Sequence, residues 1–190
     1  MFGTYLDLGF DHILDLNAYD HILFVVTLCA IYAASHWKRV LILVTAFTVG
    51  HSVTLALSTL KILSIDARLV EILIPITIIL TAVYNLYKLQ ADDEKIHWHY
   101  ILAAFFGLIH GLGFSNFLKA ILGREESIFM PLLSFNLGVE LGQIVIVAIT
   151  VLLSYIFIKL LRLPRKIWTI VISVLSVIVS IYLLYGVIVG

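Results

Sequence analysis

The chain has 190 residues, of which 62% are hydrophobic and only 13% charged, and its mean hydropathy is +1.12. These values exclude an ordinary soluble domain, and the equal numbers of basic and acidic residues give no indication of a nucleic-acid partner. A spanning helix needs about 20 apolar residues, so the chain has room for about six helices and for no separate soluble domain. We therefore predict an all-α integral membrane protein, with residues 1–190 forming a single transmembrane domain in the lipid bilayer.

Residues 1–17 precede the first apolar run and are predicted to form a short amphipathic helix. Asp7, Asp11 and Asp15 recur every four residues, with apolar residues on the other sides. This pattern is typical of a helix at a membrane surface. We interpret the acidic stripe as a solvated face, and a surface that collects cations is the alternative.

Six apolar runs follow between about residues 19 and 188, separated by charged loops. They predict a bundle of six transmembrane helices. The predicted spans are Tyr19–Ser35, Val40–Leu60, Leu69–Leu86, Tyr100–Leu118, Leu132–Ile158 and Ile167–Ile188. The chain has one cysteine, Cys29, which excludes an internal disulfide framework.

The charges of the loops predict the orientation of the bundle. One alternate set of loops holds eight Lys and Arg residues and the opposite set holds four. By the positive-inside rule, both termini therefore face outside. In one inner loop, His97 and His99 lie near the acidic residues Asp92, Asp93 and Glu94. We interpret this run as an ordinary solvated loop, and a site that exchanges an ion with the inner side is the alternative.

Several ionisable residues lie inside the predicted spans, although every Lys and Arg lies in a loop or near a span end. Such residues are costly in a bilayer and are functional candidates by default. Since no basic partner lies at a similar depth, they require protons, hydrogen bonds or a cation. The candidate metal ligands are Asp20, His21, His51, Glu71, His110 and Glu140.

The residue types indicate which cation fits. Imidazole and carboxylate ligands together suit divalent first-row transition ions such as nickel, cobalt, zinc, iron or copper. Asn136 and Gln143 share a helical face with Glu140 and are predicted to support the site. For any one of the histidines alone, a hydrogen bond to a neighbouring helix is the alternative.

Two glycines flank the histidine in the fourth span. Gly107 and Gly111 allow a neighbouring helix to approach His110 closely. The same small-residue spacing fits packing within one chain and packing in a homo-oligomer equally well.

Five sequence blocks together resemble the HupE/UreJ family of hydrogenase and urease accessory proteins, regarded as nickel or cobalt permeases. The blocks are HILDLNAYDHILF, TAFTVGHSVTLALS, VEILIPITIILTAVYN, FGLIHGLGFS and NLGVELGQ, and they cover most of the first five spans in order. The resemblance implies a six-helix metal-ion permease in the bacterial inner (plasma) membrane. It adds His12 and Asn85 to the candidate functional positions and includes Asn136 among them.

The first block departs from the family pattern. The family's block resembles H-I-L-x-G-x-D-H, whereas this chain has two more residues between His12 and the Asp20-His21 pair and lacks the glycine. Whether His12 is a ligand therefore stays open.

The resemblance favours a transporter over an enzyme. In this hypothesis an ion binds Asp20 and His21 and passes to His51, His110 and Glu140. Three further residues complete the ligand set or orient its members: the carboxylate Glu71 and the supporting residues Asn136 and Gln143.

Two alternatives share the same residues. One is an intramembrane zinc hydrolase in which Glu71 or Glu140 serves as general base. The other is a protein that binds a metal ion without moving it. The chain contains no H-E-x-x-H motif and no phosphate-binding loop motif, so neither that class of metalloprotease nor an ATP-driven pump is indicated.

Overall fold

The computed structural model describes residues 2–32, 36–89, 97–122 and 127–189. These residues form seven α-helices and no β-strand, which confirms the all-α prediction. The helices are α1 (Phe2–Leu14), α2 (Asp20–Cys29), α3 (Trp37–Thr59), α4 (Ala67–Lys88), α5 (His97–Leu122), α6 (Phe129–Tyr155), which continues into a π-helical turn (Ile156–Leu160), and α7 (Arg165–Val189). The acidic loop residues Asp92, Asp93 and Glu94 lie outside the described residues.

Four helices are long and apolar enough to cross a membrane. They are α3, α4, α6 with its π-helical turn, and α7. Two apolar helical stretches are shorter: α2, and residues His99–Ser115 within α5. The first predicted span, Tyr19–Ser35, therefore contains a helix of only ten residues. Its last turn is tightened because the Ala30 amide bonds to the Thr27 carbonyl, three residues back.

Glycines set the contact between α3 and α5. A Cβ atom on Gly50 would overlap the Ala104 carbonyl, and one on Gly111 would overlap the His51 carbonyl. Residue numbers rise together along both helices, so α3 and α5 run parallel. The two backbones therefore touch directly, in the way that small residues permit.

A second glycine contact joins α1 to α6. A Cβ on Gly9 would overlap the Phe135 carbonyl, and one on Gly138 would overlap the Leu6 carbonyl. The Ser134 hydroxyl also donates to the carbonyl of Phe2. A helix therefore occupies most of the predicted N-terminal segment and runs parallel to the first part of α6, and its amphipathic character stays a prediction. Its position at a membrane interface stays a prediction.

Polar side chains join α2 to α4 and α7. The Thr27 hydroxyl of α2 lies 2.7 Å from the Ser176 hydroxyl of α7. The Asn85 amide of α4 donates to the Thr27 carbonyl at 2.7 Å, and the Thr169 hydroxyl donates to the Ala30 carbonyl at 2.8 Å. Asn85 is therefore a link between helices in this structure.

Candidate metal centre

The structure brings four imidazoles and one carboxylate together from four helices. The five residues, called the candidate metal centre below, are His12 of α1, Asp20 and His21 of α2, His51 of α3 and His110 of α5. They form two overlapping groups. Ligand atoms of His12, His21 and His51 lie within 4.8 Å of one another, and so do those of Asp20, His21 and His110. His21 belongs to both groups.

Three of the four imidazoles are buried and that of His12 is half-buried, and several of their nitrogens lack hydrogen bonds. His21 is 4% exposed, and His51 and His110 are fully buried. Among the described residues, five buried imidazole nitrogens have no hydrogen-bond partner: His12 Nε2, His21 Nε2, His51 Nδ1, His51 Nε2 and His110 Nδ1. A buried polar atom without a partner costs about 1–3 kcal/mol. This concentration of unpaired nitrogens at one place fits a site that binds a metal ion.

Hydrogen bonds fix which nitrogen carries the proton on two of the rings. His21 Nδ1 lies 3.1 Å from the carboxylate of Asp20, which can only accept when ionised, so Nδ1 donates and Nε2 keeps its lone pair. His110 Nε2 lies 3.1 Å from the Thr77 hydroxyl. Since that hydroxyl donates its proton to the Ile74 carbonyl, it accepts from Nε2, and His110 Nδ1 keeps its lone pair. The two lone pairs belong to nitrogens that have no hydrogen-bond partner.

His12 is part of the candidate metal centre although its sequence block is altered. Its ring centroid lies 4.7 Å from that of His21. Burial, reinforced by the nearby His21 and His51 rings, holds the pKa of His12 well below its usual value. The ring is therefore neutral at neutral pH, which is the form that binds metals.

Aromatic rings form the walls of the candidate metal centre. The Phe114 ring lies 3.9 Å from the His12 ring, centroid to centroid. Phe24 and Phe47 each lie 5.1 Å from the His110 ring. These apolar walls limit the water around the imidazoles and strengthen their interaction with a cation.

A cavity of about 840 Å³ leads to the candidate metal centre. His12, Asp20, His21 and His110 line its inner part, and three further acidic residues, Asp11, Asp15 and Glu71, line it as well. Asp11 and Glu71 are exposed, so the cavity reaches the surface through an acidic mouth. The exposed acidic face of α1 therefore lies beside the candidate metal centre. Glu71 is at this mouth, outside both ligand groups.

The remaining predicted residues lie on α6 and contact α3. The Thr45 hydroxyl donates to Glu140 at 2.5 Å, and the Thr48 hydroxyl donates to the side-chain oxygen of Gln143 at 2.7 Å. The Asn136 side chain interacts with the His51 ring. Glu140 is outside both ligand groups, and Glu140 and Gln143 join α6 to α3 through these threonine hydroxyls.

Sequence reasoning did not find two polar elements of the bundle. Thr77 orients His110, and it shares a helical face with Thr81 and Asn85, a spacing that was available as a signal. His99 lies between the hydroxyls of Tyr32 and Tyr84. The prediction of a solvated loop at His99 is wrong, because α5 begins at His97 and carries His99 in its first turn.

Comparison with known proteins identifies the family of the chain. The family model described as HupE / UreJ protein matches residues 1–186, nearly the whole chain. No curated protein and no solved structure matches the chain. The match covers every residue of the candidate metal centre, and this chain belongs to the HupE/UreJ family.

Proposed function

We propose that this protein is a permease for divalent transition-metal ions, with nickel and cobalt as the first candidates. One observation carries the proposal: buried imidazole nitrogens without partners lie at the end of a cavity with an acidic mouth. Membership of the HupE/UreJ family supports a role in metal transport or as an accessory to metalloenzymes.

The ligand types support an ion that is intermediate between hard and soft metal ions. The candidate metal centre offers imidazole nitrogens and the Asp20 carboxylate, with no thiolate or thioether ligand among its five residues. This set suits Ni(II), Co(II) or Zn(II) better than Cu(I), Mg²⁺ or Ca²⁺. A single carboxylate only partly offsets the charge of a divalent ion, which favours binding weak enough for release.

We propose six membrane crossings along α2 to α7. The ten residues of α2 rise only about 15 Å and so cover only part of the first crossing, and α1 packs along the outer part of α6. The parallel packing of α3 and α5 supports this topology, since helices separated by one intervening span must run in the same direction. The excess of Lys and Arg in the alternate loops supports outside termini in a bacterial inner membrane. Gly107 and Gly111 are used within the chain, against α3, so a homo-oligomer needs other contacts.

In the proposed mechanism, acidic residues at the mouth attract the hydrated ion. Asp11, Asp15 and Glu71 raise the local concentration of cations. The ion then exchanges water for imidazole ligands, with His21 common to both ligand groups. An ion can move between His12 and His51 on one side and His110 on the other while it keeps its bond to His21.

A zinc hydrolase is the second candidate, and one observation favours it. Three histidines facing a cavity are the ligand set of many catalytic zinc sites, with a fourth position for water. The cavity of about 840 Å³ has room for water and for a small substrate. In this case Glu71, at the mouth, is the candidate general base. Tight metal binding without ion flux is the result that favours this function.

Ion flux in proteoliposomes tests the proposal. Wild type, His110→Ala and His36→Ala are reconstituted, and uptake of nickel, cobalt, zinc, iron and copper ions is measured with an internal dye. His36 precedes α3 and is outside both ligand groups, so its variant is the matched control. We expect saturable flux in wild type and His36→Ala, and loss of flux in His110→Ala. Equal flux through all three proteins contradicts the proposed site.

A further inference from the structure

A second polar cluster lies away from the candidate metal centre. The ring of His99, in the first turn of α5, contacts the Tyr32 hydroxyl through Nδ1 and the Tyr84 hydroxyl through Nε2. Tyr32 follows α2, and Tyr84 lies in the last two turns of α4. The cluster therefore joins one end of α2, α4 and α5, the helices that carry His21, Thr77 and His110 further along.

A cavity of about 370 Å³ lies between α2, α4 and α5. The tyrosine–histidine cluster lines one end, and Phe106 lines it on the side of His110. Thr81 and Asn85 also face it from α4, one and two turns beyond Thr77. The rest of the lining is apolar, and the partly exposed side chains of Leu80, Leu102 and Phe105 give it an apolar side opening.

Phenylalanine rings separate this cavity from the candidate metal centre. Phe24 lies between them: its ring is 5.1 Å from His110 and 6.1 Å from Phe106, centroid to centroid. Phe47 lies 4.9 Å from Phe24, and all three rings are buried. A constriction of this kind blocks ions by excluding water.

We propose that this cavity is the inner half of the ion path, and that His99 holds its inner end closed by binding Tyr32 and Tyr84. The proposal rests on the proposed function, because it takes the candidate metal centre as the start of the path. Opening requires the tyrosine–histidine cluster to separate and Phe24 and Phe106 to move apart. The metal ion then leaves along Thr81 and Asn85.

The chemistry of His99 indicates closure and not ion binding. Both ring nitrogens already have phenol partners, so no lone pair is left for a metal. Lys88 lies close enough to His99, and Arg39 to Tyr32, to act on them electrostatically. Positive neighbours disfavour a stationary cation at this point. His99 is therefore a positioning residue whose hydrogen bonds keep three helix ends together.

Cysteine labelling tests the closure without any metal. Ala103 lines the cavity and is 1% exposed, so Ala103→Cys places a thiol inside it, in a Cys29→Ala background. The protein is placed in lipid nanodiscs, where both faces are accessible, and the labelling rate with a charged methanethiosulfonate reagent is measured. We expect slow labelling with His99 present and labelling about tenfold faster or more with His99→Ala, since two hydrogen bonds of the closed form are lost.

Milder variants and a matched control keep the experiment decisive. Tyr32→Phe and Tyr84→Phe each remove one hydroxyl and should give smaller increases. Tyr87→Phe, on an exposed ring at the same end of α4, should leave labelling unchanged. The proposed closure is overturned if the labelling rate is the same in all variants. It is also overturned if Ala103→Cys is labelled fast while His99, Tyr32 and Tyr84 are all present. Size-exclusion profiles identify variants that do not fold. If His99→Ala is one of them, the labelling rates of Tyr32→Phe and Tyr84→Phe decide whether the cluster closes the cavity.

Metal measurements distinguish this inference from the proposed function. His99→Ala should keep the nickel affinity of the wild type, because His99 is not a ligand, while the rate of nickel flux changes. Faster labelling in a protein that moves no ion overturns the proposed permease and keeps the closure by His99. Saturable flux with labelling unaffected by His99→Ala keeps the permease and overturns the closure.

Discussion

Thr77 accepts a hydrogen bond from His110 Nε2 at 3.1 Å and donates its own proton to the Ile74 carbonyl. The hydroxyl thereby holds the ring of a buried histidine in one orientation and one tautomer. In metal sites, partners of this kind are commonly worth 10–100-fold in metal affinity.

We expect Thr77→Val to weaken nickel binding by about 10–100-fold. Valine keeps the shape of threonine, so the loss reports the hydrogen bond to His110. Equilibrium dialysis of the purified protein measures the affinity. Thr150→Val is the matched control, because the buried Thr150 hydroxyl donates to the Ile146 carbonyl of its own helix. If both variants bind nickel as the wild type does, His110 is not held by Thr77 in the metal-bound protein.

Asp20→Asn should lower nickel affinity by at least about tenfold. Asparagine still offers an oxygen to His21 Nδ1, but it removes the negative charge that offsets the charge of the ion. Isothermal titration calorimetry measures the change. Asp7→Asn removes the same charge from the exposed face of α1 and should have little effect on affinity. An affinity loss of equal size in both variants indicates general electrostatic attraction instead of a ligand role for Asp20.

The protein should bind one ion per chain at the candidate metal centre. Both ligand groups need His21, and with Nδ1 bonded to Asp20 the ring has one lone pair, on Nε2. Metal analysis after removal of weakly bound ions gives the ratio, and His21→Ala should abolish binding. A ratio of two, with both ions lost in His21→Ala, shows instead that the His21 ring bridges two ions.

Gly107→Ala should destabilise the protein by about 1–3 kcal/mol or more. The added methyl overlaps the Phe47 carbonyl and forces α5 away from α3, which also separates His110 from His51. Thermal unfolding in detergent measures the loss. Gly186→Ala in α7 is the control, since nothing lies within 4 Å of its Cβ position. We expect it to be neutral or slightly stabilising. Equal stability of both variants contradicts the tight contact.

The sequence was sufficient to predict an all-helical membrane protein and four of the five residues that the structure groups in the candidate metal centre, whereas the predicted ligands Glu71 and Glu140 lie outside both ligand groups. A histidine inside a membrane span is energetically costly, so His21, His51 and His110 are functional candidates whatever the packing of their helices. Their grouping could not be predicted, because spans that are apolar on every side give no indication of which face meets which neighbour. Glu140 was therefore predicted beside His110, whereas it lies against Thr45 on α3.

His12 and His99 illustrate the same limit in opposite ways. The longer link between His12 and Asp20 left the role of His12 open, and the position of the ring is set by Gly9, through the contact of α1 with α6. The charged residues that precede His99 predict a loop at this position. Its partners, Tyr32 and Tyr84, come from two distant segments that no local pattern connects.

The contact between α1 and α6 also has a consequence for how the protein is made. The ribosome releases α1 first, but the backbone surface that receives it, around Gly138, is among the last parts of the chain to emerge. His12 therefore cannot take its final position while α2 to α5 are being inserted. The candidate metal centre of a nascent chain is therefore incomplete until synthesis has passed α6.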